Sequence, residues 1–172
     1  MIERILRPLA FVIVLGTSTM FAQPDFLLGI GADVMVPVGP FKQNYLTGFG
    51  GTVRLQFNIS RHIGFTASAG FLTWNEKGSS SMELKGAPVR VGIKVSPFPA
   101  KNNTYLLTEC GPFFGIIGET SIARFSAAAV LGFEHQLESS ISIDLSARYD
   151  YIATQGRPSA NIGGRIGVSF GV

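Results

Sequence analysis

Apolar and polar residues alternate near the end of the chain, and this two-residue period restricts the fold more than any other feature. Between residues 141 and 151, odd positions carry Ile, Leu, Ala or Tyr and even positions carry Ser, Asp or Arg. Between 161 and 170, even positions are apolar or Gly, and odd positions are polar or Gly. Successive side chains of a strand point to opposite faces, so both segments predict strands with one apolar and one polar face.

Six further segments are rich in Gly, β-branched and aromatic residues and are separated by turn-type sequences. The eight predicted strands are 26–36, 48–58, 63–74, 86–96, 104–116, 121–136, 140–153 and 159–171. Their lengths are close to the about 9–11 residues that a tilted strand needs to cross a bilayer. Compact turns alternate with other connections that include two longer, polar ones, 37–47 and 75–85. The pattern predicts an all-β fold, an eight-stranded antiparallel up-and-down transmembrane barrel.

Eleven charged residues fall inside the predicted strands, and within each strand they share one parity. They are Asp33, Arg54, Arg90, Lys94, Glu109, Arg124, Glu134, Asp144, Arg148, Asp150 and Arg165. A basic residue on the lipid-facing side costs about 2–4 kcal/mol at the bilayer midplane, whereas a lumen can hold charges that pair. With six basic and five acidic members, the set predicts a packed, nearly neutral charge network inside the barrel.

Strand 104–116 fits the alternation least well. Glu109 assigns Tyr105, Leu107 and Phe113 to the polar face, and it places Cys110 on the lipid-facing side. The alternative fold is a soluble barrel of lipocalin type with its apolar face inward. Such a barrel should carry many Lys and Glu on its polar face, where this chain has one Lys and two Glu.

The first 22 residues read as a cleavable signal peptide. Arg4 and Arg7 precede an apolar run at 9–15, and small residues follow at 16–18. Cleavage after Ala22 leaves the barrel domain at 23–172. An uncleaved anchor helix is the alternative, for which the run is short against the about 20 residues of a membrane span.

Charge and composition exclude several classes of function. Loss of Glu3, Arg4 and Arg7 lowers the net charge from +3 to +2, which does not favour nucleic acid as a partner. One cysteine, Cys110, forms no internal disulfide and no metal or redox cysteine motif. The two histidines, His62 and His135, fall in separate compact turns, a poor arrangement for a metal site. No cofactor is expected.

Two segments resemble the small outer-membrane barrels of the OmpA/OmpX-like type, in the form common in Bacteroidetes. GIGADVMVPVGPF at 29–41 is similar to the family's first strand and loop, and GGRIGVSFGV at 163–172 to its C-terminal insertion signal. The family usually ends on an aromatic residue, whereas this chain ends on Val172 with Phe170 two positions earlier. The resemblance implies export to the outer membrane, insertion by the barrel assembly machinery, and contact with outer-membrane lipid and lipopolysaccharide.

The function expected is that of a non-enzymatic integral outer-membrane protein. Its role would be structural or in surface interaction, through residues 37–47 and 75–85. A narrow pore for small solutes is the first alternative. A lipid A-modifying enzyme is the second, because two barrels of the resembled type are a lipid A deacylase and a palmitoyltransferase. Trp74, Tyr149 and Tyr151 lie near strand ends and are candidate aromatics of the membrane interface.

Overall fold

A computed structural model describes residues 26–78, 83–117, 120–154 and 159–171 of the chain. The signal peptide predicted at 1–22 and the terminal Val172 lie outside the described residues. So do residues 79–82 of the second longer connection, 118–119, and 155–158.

Eight antiparallel strands form one closed barrel. They are β1 Phe26–Val38, β2 Gly48–Asn58, β3 Ile63–Asn75, β4 Glu83–Val95, β5 Asn102–Ile117, β6 Thr120–Glu138, β7 Ile141–Ile152 and β8 Ser159–Gly171. Each strand pairs with its neighbour in sequence, and β1 pairs with β8 from Leu27↔Gly171 to Val38↔Ala160. The predicted fold is confirmed, and closure leaves no free sheet edge along the main wall.

The connections divide the barrel into two ends. The turn end has the compact turns at 59–62, 96–101 and 139–140. The loop end has the other four connections, the first of which carries a short helix, α1 Phe41–Asn44. A membrane-spanning helix is not found among the described residues, since none combines the necessary length with the necessary hydropathy.

The wall is uneven at the loop end. β5 and β6 stay paired as far as Ile117↔Thr120, and β4 continues beside β5 to Leu84↔Ile117. On the other side, β7 follows β6 only as far as Ser126↔Ile152. Residues 113–117 and 120–125 therefore form a projecting hairpin. Ala153 N donates to the Phe125 carbonyl at 2.9 Å, and among the described residues no strand pairs with the outer edge of 120–124.

The polar parity of every strand faces the lumen and the apolar parity faces outward. Along β7 the burial alternates without a break, with Ser142, Asp144, Ser146, Arg148 and Asp150 inside. Large apolar side chains cover the outside, and Val91 and Ile166 are 64% and 61% exposed. The soluble, lipocalin-type alternative is wrong, because in such a barrel the apolar parity would face the lumen and the polar parity would face outward.

Inward-facing glycines make room for the largest side chains of the lumen. A Cβ on Gly132 of β6 would overlap the ring of Tyr105, which is fully buried on β5. A Cβ on Gly86 would overlap the ring of Phe113 in the same way. Glycine is therefore required at these positions by close packing.

We expect Gly132→Ala to lower the free energy of unfolding by about 1–3 kcal/mol, since the added methyl group forces the buried Tyr105 ring to move. Gly164→Ala is the matched control, because its Cβ would lie 3.7 Å from the nearest atom, the Ser146 carbonyl oxygen. Urea unfolding of the refolded barrels, followed by gel mobility, measures both. Equal stability of the two variants would show that the Tyr105 ring does not require a glycine at position 132.

Candidate functional site

The central lumen holds a chain of ion pairs that joins three strands. Arg148 of β7 lies between two carboxylates, with Nη1 3.3 Å from Asp33 Oδ1 and Nη2 3.0 Å from Asp150 Oδ1. Asp150 Oδ1 also accepts a hydrogen bond from Arg90 Nη1 of β4 at 2.8 Å. All four side chains are buried, and their formal charges cancel.

Hydroxyl groups extend this chain across the lumen. Thr52 donates to Asp33 Oδ2 at 2.5 Å, so both oxygens of that carboxylate are bound. Arg90 Nε donates to Ser126 Oγ at 3.0 Å, and Ser126 in turn donates to the Gly111 carbonyl at 3.0 Å. Six of the eight strands thus share one hydrogen-bonded network.

A second group of ion pairs lies beside the first. Arg165 Nη1 is 3.3 Å from Asp144 Oδ1, and the Tyr105 hydroxyl donates to the other oxygen of Asp144. Arg54 Nε lies 3.6 Å from Glu109 Oε1, which also accepts from Ser68 Oγ at 2.9 Å. Each carboxylate is thereby held by one cation and one hydroxyl group.

The last ion pair lies nearest the turn end. Lys94 Nζ is 2.7 Å from Glu134 Oε2 and 3.1 Å from the side-chain oxygen of Gln56. Ser142 Oγ donates to Glu134 Oε1 at 2.9 Å. The ammonium group also lies 4.4 Å from the centre of the Tyr105 ring, a distance at which cation–π attraction operates.

Arg124 is the exception among the eleven predicted lumen charges. It lies half-buried on the projecting hairpin, where Nη1 donates to the Ala123 carbonyl at 3.3 Å. Within the described residues it makes no ion pair, because β7, which carries the acidic partners, ends opposite Ser126. The structure therefore places five basic and five acidic residues in the paired set, and the set is neutral.

An apolar plug closes the lumen near the loop end. Its members are Met35, Phe41, Leu72, Trp74, Leu84, Phe113 and Ile152. Phe41 comes from α1 and lies across the mouth, with its ring centre 5.9 Å from that of Trp74. Trp74 in turn lies 6.4 Å from Phe113. The loop-end mouth is thus filled by apolar side chains from both the wall and the first loop.

The first loop is held over the plug by backbone contacts with β3 and the turn after it. Leu46 N donates to the Asn75 carbonyl at 2.9 Å, and Lys77 N donates to the Asn44 carbonyl at 2.8 Å. Tyr45 packs on Phe41 with ring centres 4.6 Å apart. Burial, with a smaller contribution from Glu76, raises the pKa of the Tyr45 phenol above its usual value. The phenol is therefore neutral at physiological pH.

The prediction that Trp74 is an aromatic of the membrane interface is wrong. Its side chain is 1% exposed and points into the lumen, because it shares the inward parity of Ser68 on β3. Met35 shares the parity of Asp33, and Phe113 shares that of Glu109. Parity was thus the sequence signal for the plug members on strands. Sequence reasoning applied it to Phe113 but did not apply it to Met35 and Trp74.

The remaining predicted residues lie as follows. On β5, Tyr105, Leu107 and Phe113 face inward, as the parity of Glu109 predicts, and Cys110 is exposed. Tyr149 and Tyr151 are exposed on the outer face of β7, and Phe170 is exposed on β8. The insertion-signal role of Phe170 and Val172 stays a prediction.

The two histidines lie at the turn end. His62 is in the turn at 59–62, and His135 Nδ1 lies 2.5 Å from Asn102 Oδ1. Among the described residues, no group of three or more His, Cys, Asp or Glu side chains is placed to hold a metal ion.

Several solved structures share this architecture. Neisserial surface protein A matches with a TM-score of 0.69 and 12% identity, over 86% of this chain and 97% of its own. The outer-membrane protein OprG of Pseudomonas aeruginosa matches at 0.61 and 12% identity, over 91% and 97%. Ail, the attachment invasion locus protein of Yersinia pestis, solved with a heparin analogue, matches at 0.60 and 14% identity, over 87% and 99%.

This chain has the fold of the small eight-stranded outer-membrane barrels. The similarity lies in the fold, since no protein-family model matches the chain and no curated protein matches it in sequence. Within this barrel fold, the neutral ion-pair network and the apolar plug are features of the chain's own residues.

We expect Asp150→Asn to lower the free energy of unfolding by about 3–5 kcal/mol, because two buried arginines then lose their shared carboxylate. Glu83→Gln is the matched control, since it removes a half-exposed carboxylate 3.4 Å from Lys85. An exposed pair of this kind contributes about 0–1 kcal/mol. Urea titration of the refolded variants measures both, and a loss at Asp150 no larger than at Glu83 would refute the network as a source of stability.

Proposed function

We propose that the protein is a non-enzymatic, integral outer-membrane barrel, a sealed scaffold that presents its loop end at the cell surface. The proposal rests on the distribution of polar and apolar side chains, which is the reverse of that in a soluble protein. Charged side chains are buried in the lumen, whereas large apolar side chains cover the outside. In water this arrangement would expose a continuous apolar surface, which soluble monomers rarely do. In a bilayer it is the favoured arrangement.

The fold neighbours support the location. Neisserial surface protein A and the outer-membrane protein OprG are a surface protein and an outer-membrane protein by name, and Ail is an attachment invasion locus protein by name. In an even-stranded outer-membrane barrel the first strand begins and the last strand ends on the periplasmic side, so the turn end, where β1 begins and β8 ends, would face the periplasm and the loop end the outside. Outer-membrane lipid and lipopolysaccharide would then contact the apolar belt, and the barrel assembly machinery would insert the chain.

The loop end supports a role in surface interaction. The projecting hairpin extends beyond β7, so that no described strand pairs with the edge at 120–124. Open strand edges are sites where another chain can pair, and Arg124 partly covers this one by binding the Ala123 carbonyl. Ail, an attachment protein by name, has the same fold and supports the same kind of role.

The lumen favours a scaffold over a pore. An eight-stranded barrel has an interior that side chains can fill, and here the plug and the ion pairs occupy successive levels of it. A lipid-modifying enzyme of the hydrolase type needs a base within reach of its nucleophile near the outer leaflet. Both histidines of the chain lie at the opposite end of the barrel.

We expect Val91→Arg to destabilise the barrel in lipid by about 2–4 kcal/mol, because this side chain lies on the outer face of β4 and would hold a charge in hydrocarbon. Phe98→Arg is the control, since Phe98 is 77% exposed in a turn outside the strands. Folding yield and unfolding in lipid vesicles measure both. A Val91→Arg barrel that folds as well as Phe98→Arg, or wild type recovered in the soluble periplasmic fraction, would contradict the membrane assignment.

A sealed lumen predicts that the refolded protein gives no sustained single-channel steps in a planar bilayer. The plug and the neutral network would have to separate before a hydrated ion could pass. A general porin inserted in the same lipid serves as the positive control. Large, stable conductance steps from wild type would instead favour the pore.

A further inference from the structure

The outward face of the barrel is hollowed where β5 and β6 run side by side. Small side chains form the floor of this outer groove, since Cys110 pairs with Ala127 and Thr108 pairs with Ala129. The groove opens away from the lumen, because Thr108 and Cys110 have the parity opposite to that of the buried Glu109. Its volume is about 800 Å³, within the about 300–1,000 Å³ that is typical of small-molecule sites.

Larger side chains surround this floor. They are Tyr149 and Tyr151 on β7, Val91 and Ile93 on β4, and Phe125 and Leu131 along β6. A lipid chain on the convex outside of a barrel contacts protein on one side, whereas a chain in the groove contacts both the floor and the walls. Because dispersion attraction adds up over such contacts, the groove favours an ordered chain over a mobile one.

The groove runs obliquely across the apolar belt. Strands of outer-membrane barrels are tilted by about 35–45°, so a row of paired residues is inclined to the barrel axis. The row through the groove joins Tyr149, Ala129, Thr108, Ile93 and Phe65 on five successive strands. Tyr149 lies three residues from the loop end of β7, and Phe65 lies two residues from the turn end of β3. The groove therefore descends through the belt, as an acyl chain descends through a leaflet.

Hydroxyl groups line the groove from its loop end to its middle. They belong to Tyr149, Tyr151 and Thr108, and none of the three has a hydrogen-bond partner among the described residues. An unpaired hydroxyl group in hydrocarbon costs free energy, so each favours a lipid that brings an oxygen atom to the same depth. The turn-end part is formed by Ile93 and Phe65 and is apolar. The groove is thus polar toward the loop end and apolar toward the turn end.

We propose that the outer groove binds an acyl chain of lipopolysaccharide, with the sugar end of the lipid at the loop end of the barrel. The inference rests on the proposed outer-membrane location and adds a lipid site to it. The phenols of Tyr149 and Tyr151 donate to the ester, amide or hydroxyl oxygens near the sugar, and the tail of the chain packs on Ile93 and Phe65. Lipopolysaccharide is favoured over phospholipid because the polar end of the groove lies at the loop end, in the outer leaflet.

A second copy of the chain fits the groove poorly. In a twofold dimer the same patch meets itself, so groove would face groove and leave an unfilled space between the two walls. Such a space forfeits dispersion contacts, whereas a flexible acyl chain fills it.

Alanine methyl signals of the refolded barrel in neutral detergent test the site. Purified lipopolysaccharide is titrated in, with phosphatidylethanolamine as the phospholipid comparison. We expect saturable shifts of Ala127 and Ala129 in the groove and none of Ala32, which is exposed on β1 on the opposite side of the barrel. Equal shifts at Ala32 and Ala129 would show a general lipid shell and refute the groove. Equally tight binding of the phospholipid would refute the assignment to lipopolysaccharide.

Two variants with the same added side chain locate the bound lipid. Ala129→Phe fills the floor and should remove the lipopolysaccharide that wild type retains in native mass spectra, whereas Ala32→Phe should retain it. Heat-modifiable gel mobility shows whether each barrel has inserted in lipid. A wild type that does not insert would contradict the membrane assignment itself. Inserted barrels that all retain the lipid equally, or a dimer mass in place of bound lipid, would overturn the groove site alone.

Tyr151→Phe tests the polar end of the groove. It removes one hydroxyl group that has no partner among the described residues, so the fold is retained. Binding of lipopolysaccharide should weaken by about fivefold, the effect of one neutral hydrogen bond. Tyr45→Phe removes a phenol at the loop end but outside the groove and should leave binding unchanged. Equal binding by the two variants would overturn the proposed orientation of the lipid.

Discussion

An eight-stranded barrel encloses a lumen just wide enough for side chains, so a charge placed there loses most of its water and needs a partner. This chain places ten charges inside, five of each sign, and every one lies in an ion pair. Arg148 shows why the balance matters, because its guanidinium is held by Asp33 on one side and Asp150 on the other. The partners come from β1 and β7, which are distant in sequence, so pairing them requires that the barrel has closed. Charge balance and closure therefore depend on each other.

The network also explains why the two ends of the lumen differ. Toward the loop end, the inward positions change from charged to apolar within one or two alternations, from Asp33 to Met35 on β1 and from Asp150 to Ile152 on β7. Toward the turn end the inward positions become polar and uncharged. There Gln56 accepts a hydrogen bond from Lys94, and Ser142 donates one to Glu134, the partner of Lys94. An apolar plug excludes water from one side of the network, whereas the recess at the turn end, lined by Gln56, Lys94, Glu134 and Ser142 among others, opens to solvent on the other. The lumen is consequently closed at the loop end and open to solvent at the turn end.

The two-residue period predicted the strands and their inward and outward faces well. It did not predict where along the barrel axis each inward residue lies. Predicted strands 48–58 and 159–171 coincide with β2 and β8, because their alternation runs unbroken between clear turns. Parity also assigned Tyr105, Leu107 and Phe113 of β5 to the inside, against their apolar character. It could not say that Arg124 lies beyond the end of β7, or that Trp74 joins a plug with Phe41 from α1. Those facts depend on the stagger between strands and on the path of a loop, which alternation within one strand does not encode.

The same limit applies to function, since the inward and outward faces specify a transmembrane barrel and say nothing about what its two ends do. At the loop end, the stagger of β6 past β7 creates an open edge, and Arg124 binds a carbonyl there that a partner strand would otherwise use. At the turn end, Lys94 and Ser142 each donate to one oxygen of Glu134, so the network ends there in a carboxylate with both oxygens bound. The open edge is not needed to close the barrel or to cover it with apolar side chains. Substitution of Arg124 can therefore change this edge while the neutral network keeps the barrel intact.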